Sequence, residues 1–266
     1  GEQTRYLHDL FGFLYATIEP GDTEEFPSAE YNYGFAESFG DGLINWVETR
    51  LLDKAPDPDA DRDDLYFVVR RYIDGLGRVR MEKAEAEADP GTGAPRVVVT
   101  GAARFNARGT VARELLPYYT LEAPPGSPLG DLLAFEDIRA PHWQGLFSVD
   151  GAPAALRLDA APKRETHYDA SLREVRTVNA DGTFRRFVHT PLASHIYDED
   201  DTDSASPFAD TPTSHYRDGL GRLVRTEERV RLLPDGTAAD EVQVYATRMQ
   251  YRADGALTRI TDALGN

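Results

Sequence analysis

Asp57, Asp59, Asp61 and Asp63 stand at alternate positions in the run D-P-D-A-D-R-D-D (57–64), the spacing with which a calcium loop opens. Arg62 stands where such a loop needs its turn glycine, however, and Val68 where it needs a bidentate Glu, so a solvated acidic loop is the better reading. The run D-E-D-D-T-D (198–203) is spaced with less order still. The histidines are His8, His142, His167, His189, His195 and His215; they form no H-x-x-x-H pair and accompany no G-x-S-x-G elbow. His189 and His195 flank a loop at Pro191 and share no helical face. With 46 Asp and Glu in the chain, neighbouring carboxylates arise by chance and nominate no glycosidase pair. Gly75-Leu76-Gly77-Arg78 precedes no helical pattern, so it makes no phosphate cradle. Cys is absent, which excludes disulfides, thiolate nucleophiles and zinc–cysteine sites. No catalytic residue, metal or cofactor is therefore expected, and no enzymatic activity.

The elements that would carry these residues are strands. Gly and Pro total 39 (22 + 17) and are spread along the whole chain, Tyr and Phe number 13 and 12, and Met is scarce. That usage favours many short strands joined by turns. Acids exceed bases by 46 to 29, giving a net charge of −17, so nucleic acid is not expected as a partner. Lys54, Lys83 and Lys163 are the only lysines. No run of 18 apolar residues occurs and Gly1-Glu2-Gln3-Thr4-Arg5 has no signal-peptide character, so no membrane span or export address is expected in this stretch.

Self-similarity is the strongest signal. R-Y-I-D-G-L-G-R-V-R (71–80) and H-Y-R-D-G-L-G-R-L-V (215–224) share D-G-L-G-R with a Tyr two residues ahead of the Asp: Tyr72, Asp74, Gly77 and Arg78 in the first, Tyr216, Asp218, Gly221 and Arg222 in the second. Degenerate copies keep the frame. Asp9 and Gly12 belong to one, Gly109 to another; Tyr168, Asp169 and Arg173 form a third with Leu172 at the glycine position, and Tyr251 and Gly255 a fourth. A second element trails several copies: E-P-G-D (19–22), A-D-G-T (180–183), P-D-G-T (234–237) and D-A-L-G-N (262–266). Runs such as R-E-V-R-T-V (173–178) and F-R-R-F-V-H-T (184–190) alternate apolar with polar residues, the period of a half-buried strand. Each unit therefore reads as a hairpin. Its Asp bonds backbone N–H groups two residues on, its Gly takes φ > 0, its Arg reaches an acid of the neighbouring hairpin, and its aromatic packs along the sheet. On the same reading Gly77 and Gly221 are equivalent, and Arg78 and Arg222 are at least half buried. The segment A-P-P-G-S-P-L-G (123–130) with L-L-A-F-E-D-I-R-A-P-H-W (132–143) departs most from the repeat; it reads as a long insertion loop between strands in preference to a plug-like element covering an opening, with 132–138 a short helix or strand.

These motifs resemble the YD repeat of rearrangement-hot-spot (RHS) proteins. The stretch T-P-T-S-H-Y-R-D-G-L-G-R-L-V-R-T-E (211–227) is most similar to the repeat regions of insecticidal toxin-complex B components. The resemblance covers most of the chain, is strongest over 164–266 and is poor over 31–65 and 115–160. It implies an all-β fold of stacked antiparallel β-hairpins forming a curved YD-repeat sheet, a segment of a hollow shell with a few long insertion loops. One continuous repeat region, 1–266, is expected, with irregular insertions at about 23–65 and 115–160. The implied function is structural: shell wall enclosing a toxic polypeptide, in a protein secreted by a bacterium or held at its surface. The implied partners are other repeats of the same or a partner shell protein and the enclosed toxin. No D-P-x-G self-cleavage motif, variable toxin domain or FG-GAP propeller is present, so the chain reads as an excised fragment or a short repeat protein. Unprotected strand edges should then permit self-association. Two other readings stand beside this one: a secreted carbohydrate- or surface-binding β-module, which needs an exposed aromatic platform, and a β-rich hydrolase, which needs a cleft with a carboxylate pair of perturbed pKa.

Overall fold

Alternation decides the elements. In R-V-V-V-T (96–100), Val97 and Val99 are fully buried while their neighbours are half-exposed, and Y-F-V-V-R-R-Y-I (66–73) buries Tyr66, Val68 and Tyr72 on one side. A strand points successive side chains to opposite faces, so each such run supplies one core face. The computed structural model describes residues 3–36, 44–55, 59, 62–120, 132–232 and 238–266. Among them lie twenty strands, a four-residue helix at Glu199–Thr202 and a 3-10 turn at Arg62–Leu65.

The chain divides into two compact units: Gly1–Phe105 with Glu114–Lys163, and Asn106–Arg113 with Arg164–Asn266. The first ten-stranded sheet contains β1 (Arg5–His8), β2 (Leu14–Ile18), β3 (Ala29–Gly34), β4 (Asn45–Leu52), β5 (Tyr66–Ile73), β6 (Val79–Ala86), β7 (Arg96–Thr100), β10 (Tyr118–Tyr119), β11 (Gly145–Val149) and β12 (Ala152–Leu156), in that spatial order. The second runs β20 (Leu257–Thr261), β19 (Ala238–Tyr251), β18 (Leu223–Leu232), β17 (Thr213–Arg217), β16 (Ala193–Tyr197), β15 (Phe184–His189), β14 (Glu174–Val178), β13 (Lys163–Tyr168), β9 (Val111–Leu115) and β8 (Ala103–Phe105). Neighbours pair antiparallel and most are consecutive in the chain, the pattern of successive hairpins; the exception is that β8 and β9 join the second sheet beside β13, so that β10 follows β7 in the first. The sheets are open and antiparallel, as the sequence implies.

The two units are built differently. In the first, Tyr72, Met81, Val99, Tyr118 and Phe147 form a core with Ile138 and Trp143, and Val68 and Val97 pack with Leu132 and Leu133. Burying each such side chain contributes ~1.5–3 kcal/mol. Residues 132–143 thus form a strap laid over one sheet face. They contain neither a strand nor an extended helix, and they correct the expected insertion loop: four apolar side chains are drawn against the sheet instead of lying in solvent. Residues 123–130 lie outside the described residues. Among the described residues, every buried hydrophobic side chain except that of Pro212 belongs to the first unit. In the second, the buried residues among those described are Thr177, Thr211, Pro212, Ser214 and Glu227. From β13 to β20 that sheet depends on ladder hydrogen bonds and cross-strand pairs rather than on a core of its own.

Candidate functional site: a ladder of aspartate and asparagine turns

Eight turns share one geometry, at 9–13, 74–78, 106–110, 169–173, 179–183, 218–222, 252–256 and 262–266. In each, the first residue's N–H donates to the fifth residue's carbonyl, and the fourth residue's N–H donates to the first residue's carbonyl. At 74–78 these bonds are both 2.9 Å; at 218–222 they are 3.0 and 2.9 Å. The fourth residue has positive φ throughout, 77° at Gly77 and 78° at Gly221, which glycine adopts without Cβ strain. Leu172 holds the same position at φ 62°, the one side chain larger than hydrogen in this place. A register shift precedes most of the turns, for example at Tyr72/Ile73, Tyr216/Arg217 and Gln250/Tyr251, as expected of a hairpin loop closed through a left-handed residue.

This corrects the division into two kinds of element. A-D-G-T and D-A-L-G-N are not a trailing motif but further copies of the same turn, opened by Asn179 and Asp262. E-P-G-D is a different, tighter turn, closed by Asp22 N–H to Glu19 O at 3.1 Å. P-D-G-T (234–237) lies outside the described residues.

The opening carboxylate does two things. Oδ1 of Asp74 accepts from Leu76 N (2.9 Å) and Arg78 N (3.0 Å), and Oδ2 accepts from Arg78 Nε (2.9 Å). Asp218 repeats this with Leu220 N, Arg222 N and Arg222 Nε at 2.9, 3.0 and 2.7 Å, and Asp169 with Ser171 N, Arg173 N and Arg173 Nε at 2.8, 3.0 and 2.7 Å. The arginines therefore close on the aspartate of their own turn, not on an acid of the adjoining hairpin. The reason is distance: positions one and five of this turn face each other across its mouth. Arg78 and Arg222 are mostly buried, at 29% and 27% side-chain exposure, while Arg173 is half exposed at 49%. What reaches the next hairpin is the guanidinium's face. Arg78 lies 4.2 Å over Phe105, and Arg222 lies 4.9 Å over Tyr251 while Nη1 donates to Arg252 O at 3.2 Å. The side-chain hydrogen bond from Arg222 holds the Asp218 carboxyl below its usual range, and backbone and side-chain bonds from Arg173 do the same for Asp169. At Asp74 burial works in the opposite direction, but the bonds from Arg78 and Leu76 prevail and its pKa too is lowered.

The tyrosines divide by position. Tyr168 and Tyr251, one residue ahead of their turns, donate to Val111 O (3.0 Å) and Leu223 O (2.8 Å). Both carbonyls belong to the residue just past an earlier turn. Tyr33 makes the same bond to Leu14 O at 2.8 Å, and Thr202 Oγ1 replaces the phenol at Phe184 O at 2.5 Å. A hydroxyl thus latches the exit of one hairpin to a later element. Tyr72 and Tyr216 stand two residues ahead, which turns their rings to the other side of the strand. Tyr72 donates to Leu133 O in the strap, and Tyr216 donates to Glu227 Oε2 at 3.1 Å. Gly255 closes its turn beside an exposed Arg252–Asp254 pair.

The remaining candidates are accounted for locally. Positions 57, 58, 60 and 61 of the first acidic run lie outside the described residues. In the second run, Asp198 caps the short helix and exchanges hydrogen bonds with Asp201, whose other bonds come from Thr211 N and Oγ1 at 2.8 Å. His195 Nδ1 lies 2.7 Å from Ser214 Oγ, but Ser214 is fully buried, also takes a bond from Arg229 (2.6 Å), and no acid among the described residues orients the imidazole. A nucleophile must be reachable and its base oriented, and this pair meets neither condition.

Lys83 was not singled out by the sequence. Its side chain is fully buried, with Nζ donating to Leu132 O (3.0 Å), Ala134 O (2.7 Å) and Glu136 Oε1 (2.6 Å), so it pins the strap to the sheet. Burial pushes its pKa below the usual lysine value, with Glu136 opposing. The available signal was the scarcity of lysine and its place two residues from Met81, on the inward side of β6.

No family model matches the chain, and no curated protein does. Solved structures do. The crystal structure of TcdB2-TccC3 superposes with a TM-score of 0.65 at 19% identity, over 98% of this chain and 13% of that one. The fold is that of a segment of TcdB2-TccC3. The form without the hypervariable C-terminal region superposes at 0.57 with 22% identity over 82% of this chain, and the Photorhabdus luminescens Tc holotoxin pore at the same values. The chain spans 10% of the length of each of the latter two.

Proposed function

We propose that this chain is a stretch of β-shell wall from a bacterial RHS-type toxin protein, secreted or surface-held, and that with further repeats it encloses a toxic polypeptide. One observation carries the reading: the second unit is a sheet whose only buried apolar residue among those described is Pro212, held by turns whose hydroxyl and guanidinium groups latch one hairpin to another. Such a sheet is a building element for a wall rather than the shell of a closed core. Its likeness to toxin-complex structures points the same way. The thirteen repeat residues, from Tyr72 to Gly255, serve in this reading as fasteners along one continuous repeat region, 1–266, with the irregular stretches as insertions.

The test is protease protection in the full-length protein. Polypeptide downstream of the repeats should resist digestion when the wall is intact and become sensitive when Gly77 and Gly221 are both replaced by Val. Equal digestion in both forms would refute enclosure. The partners expected are neighbouring repeats, so the isolated chain should self-associate through its strand edges more strongly at high salt, where the charge of −17 is screened. Light scattering showing a strict monomer at both low and high salt would count against this.

A surface-binding module has one observation in its favour. Phe13, Tyr33 and Phe35 form a cluster with ring centroids 5.1–6.5 Å apart, and Phe35 is 63% exposed. Affinity electrophoresis on insoluble glycans would reveal such a platform, and Phe35→Ala should abolish any retardation. For a hydrolase, every described carboxylate with a resolved pKa shift is shifted down, whereas a general acid needs one raised.

A further inference from the structure

The second sheet distributes its charge unequally between its faces. Cross-strand partners share a face, and the registers Arg176↔Arg186, Arg186↔Tyr197, Tyr216↔Arg225, Arg225↔Arg248 and Gln250↔Arg259, with Glu227 and Arg229 two and four residues beyond Arg225, place six arginines on one side. Two of these pairings, Arg176 with Arg186 and Arg225 with Arg248, set like charges directly opposite each other, which destabilises an isolated sheet. Neutralisation is incomplete. Glu227 pairs with both Arg225 and Arg229, and Asp210 stands 3.9 Å from Arg186 while itself 79% exposed. Arg176, Arg248 and Arg259, all exposed, form no ion pair with any described residue. In a chain of net charge −17, a face that gathers unpaired cations is the exception to the whole.

We infer that this face, spanning β14 to β20, binds a carboxylate-rich segment of polypeptide in extended form. The inference holds whether or not the sheet is part of a shell. Arginine forks match carboxylates two N–H groups at a time. Two of the guanidiniums are already oriented: Arg176 lies 4.0 Å over Phe184 and Arg186 lies 4.0 Å over Tyr197, so the rings hold their planes and leave their edges free. Six strand-to-strand steps of ~4.8 Å cover about 29 Å, the reach of about nine extended residues at ~3.3 Å each. Nucleic acid has the right sign of charge, but a single strand gains affinity by stacking its bases on free aromatic faces, and on this face Phe184 and Tyr197 are covered by the guanidiniums of Arg176 and Arg186.

The test uses the whole chain and a fluorescein-labelled poly-glutamate peptide of about ten residues, followed by anisotropy at low and moderate salt. A variant with Arg176, Arg186, Arg248 and Arg259 all changed to Gln should bind roughly tenfold or more weakly, since each exposed pair is worth a few tenths to one kcal/mol. A control with the same loss of charge elsewhere, Arg5, Arg71, Arg139 and Arg252 to Gln, should stay within about twofold of the parent. Circular dichroism checks both folds; if the first variant unfolds, the pair Arg176→Gln with Arg248→Gln takes its place, with an expected loss of several-fold. No binding by the parent, equal weakening in both variants, or tighter binding of single-stranded DNA of matched charge would each overturn the inference.

Discussion

Replacing Lys83 with Met tests how the first unit closes. Met matches the side chain in length and suits an apolar site, so the variant removes three hydrogen bonds without leaving a large cavity. What remains are two strap carbonyls, Leu132 O and Ala134 O, and the Glu136 carboxylate. A buried acceptor left unpaired costs about 1–3 kcal/mol, so the two carbonyls together cost ~2–6 kcal/mol. Glu136 is 30% exposed, so water replaces much of its lost partner, and relief from burying the ammonium returns part of the total. The net expectation is a destabilisation of about 3 kcal/mol, a large fraction of a typical domain's 5–15. Guanidinium unfolding followed by tryptophan fluorescence measures it directly. Trp143 sits in the strap, 6% exposed, with Nε1 donating to Glu136 Oε2 at 3.3 Å, so its emission reports strap docking. In Lys83→Met the emission should shift to the red at lower denaturant than in the parent. If Lys83→Met proves as stable as the parent, the lysine is a tolerated burial and not the fastening of the strap.

Three further outcomes follow from the turns. Gly221→Ala should destabilise the chain by about 0.5–1 kcal/mol: nothing lies within 4 Å of the added Cβ, so the cost is the left-handed backbone, φ 78°, less the entropy Ala removes from the unfolded chain; a neutral or stabilising result in thermal melts would contradict this. Tyr251→Phe deletes the hydroxyl latch to Leu223 O and should cost about 1 kcal/mol, with faster amide exchange confined to β18 to β20; unchanged exchange there would show the latch to be idle. Because Asp74, Asp169, Asp218 and Asp262 hold lowered pKa values, the unfolded chain takes up protons first as pH falls. Their contribution is complete above the ordinary carboxylate value of ~3.9 and is lost below it, so melting temperature should fall steadily from pH 5 to pH 2; a flat profile would sink the assignment.

The fold class could be read from residues near one another in the chain. Period-two alternation in R-V-V-V-T or F-R-R-F-V-H-T requires a strand, and Asp or Asn followed three residues later by Gly requires one closed turn, because both depend on backbone geometry within a few residues. Even so, only the hydrogen bonds show that A-D-G-T and D-A-L-G-N share the frame of the other turns. The direction of Arg78 and Arg222 needed coordinates, since sequence does not rank a turn's own aspartate against a neighbour's. So did the docking of residues 132–143, whose apolar side chains find partners on β5, β6 and β7, more than thirty residues earlier in the chain. The six arginines of the second sheet are scattered along 84 positions, from 176 to 259, with no common motif. They meet on one face because register is set by bulges and loop lengths, and a shift of one residue in any strand would send its arginines to the other side.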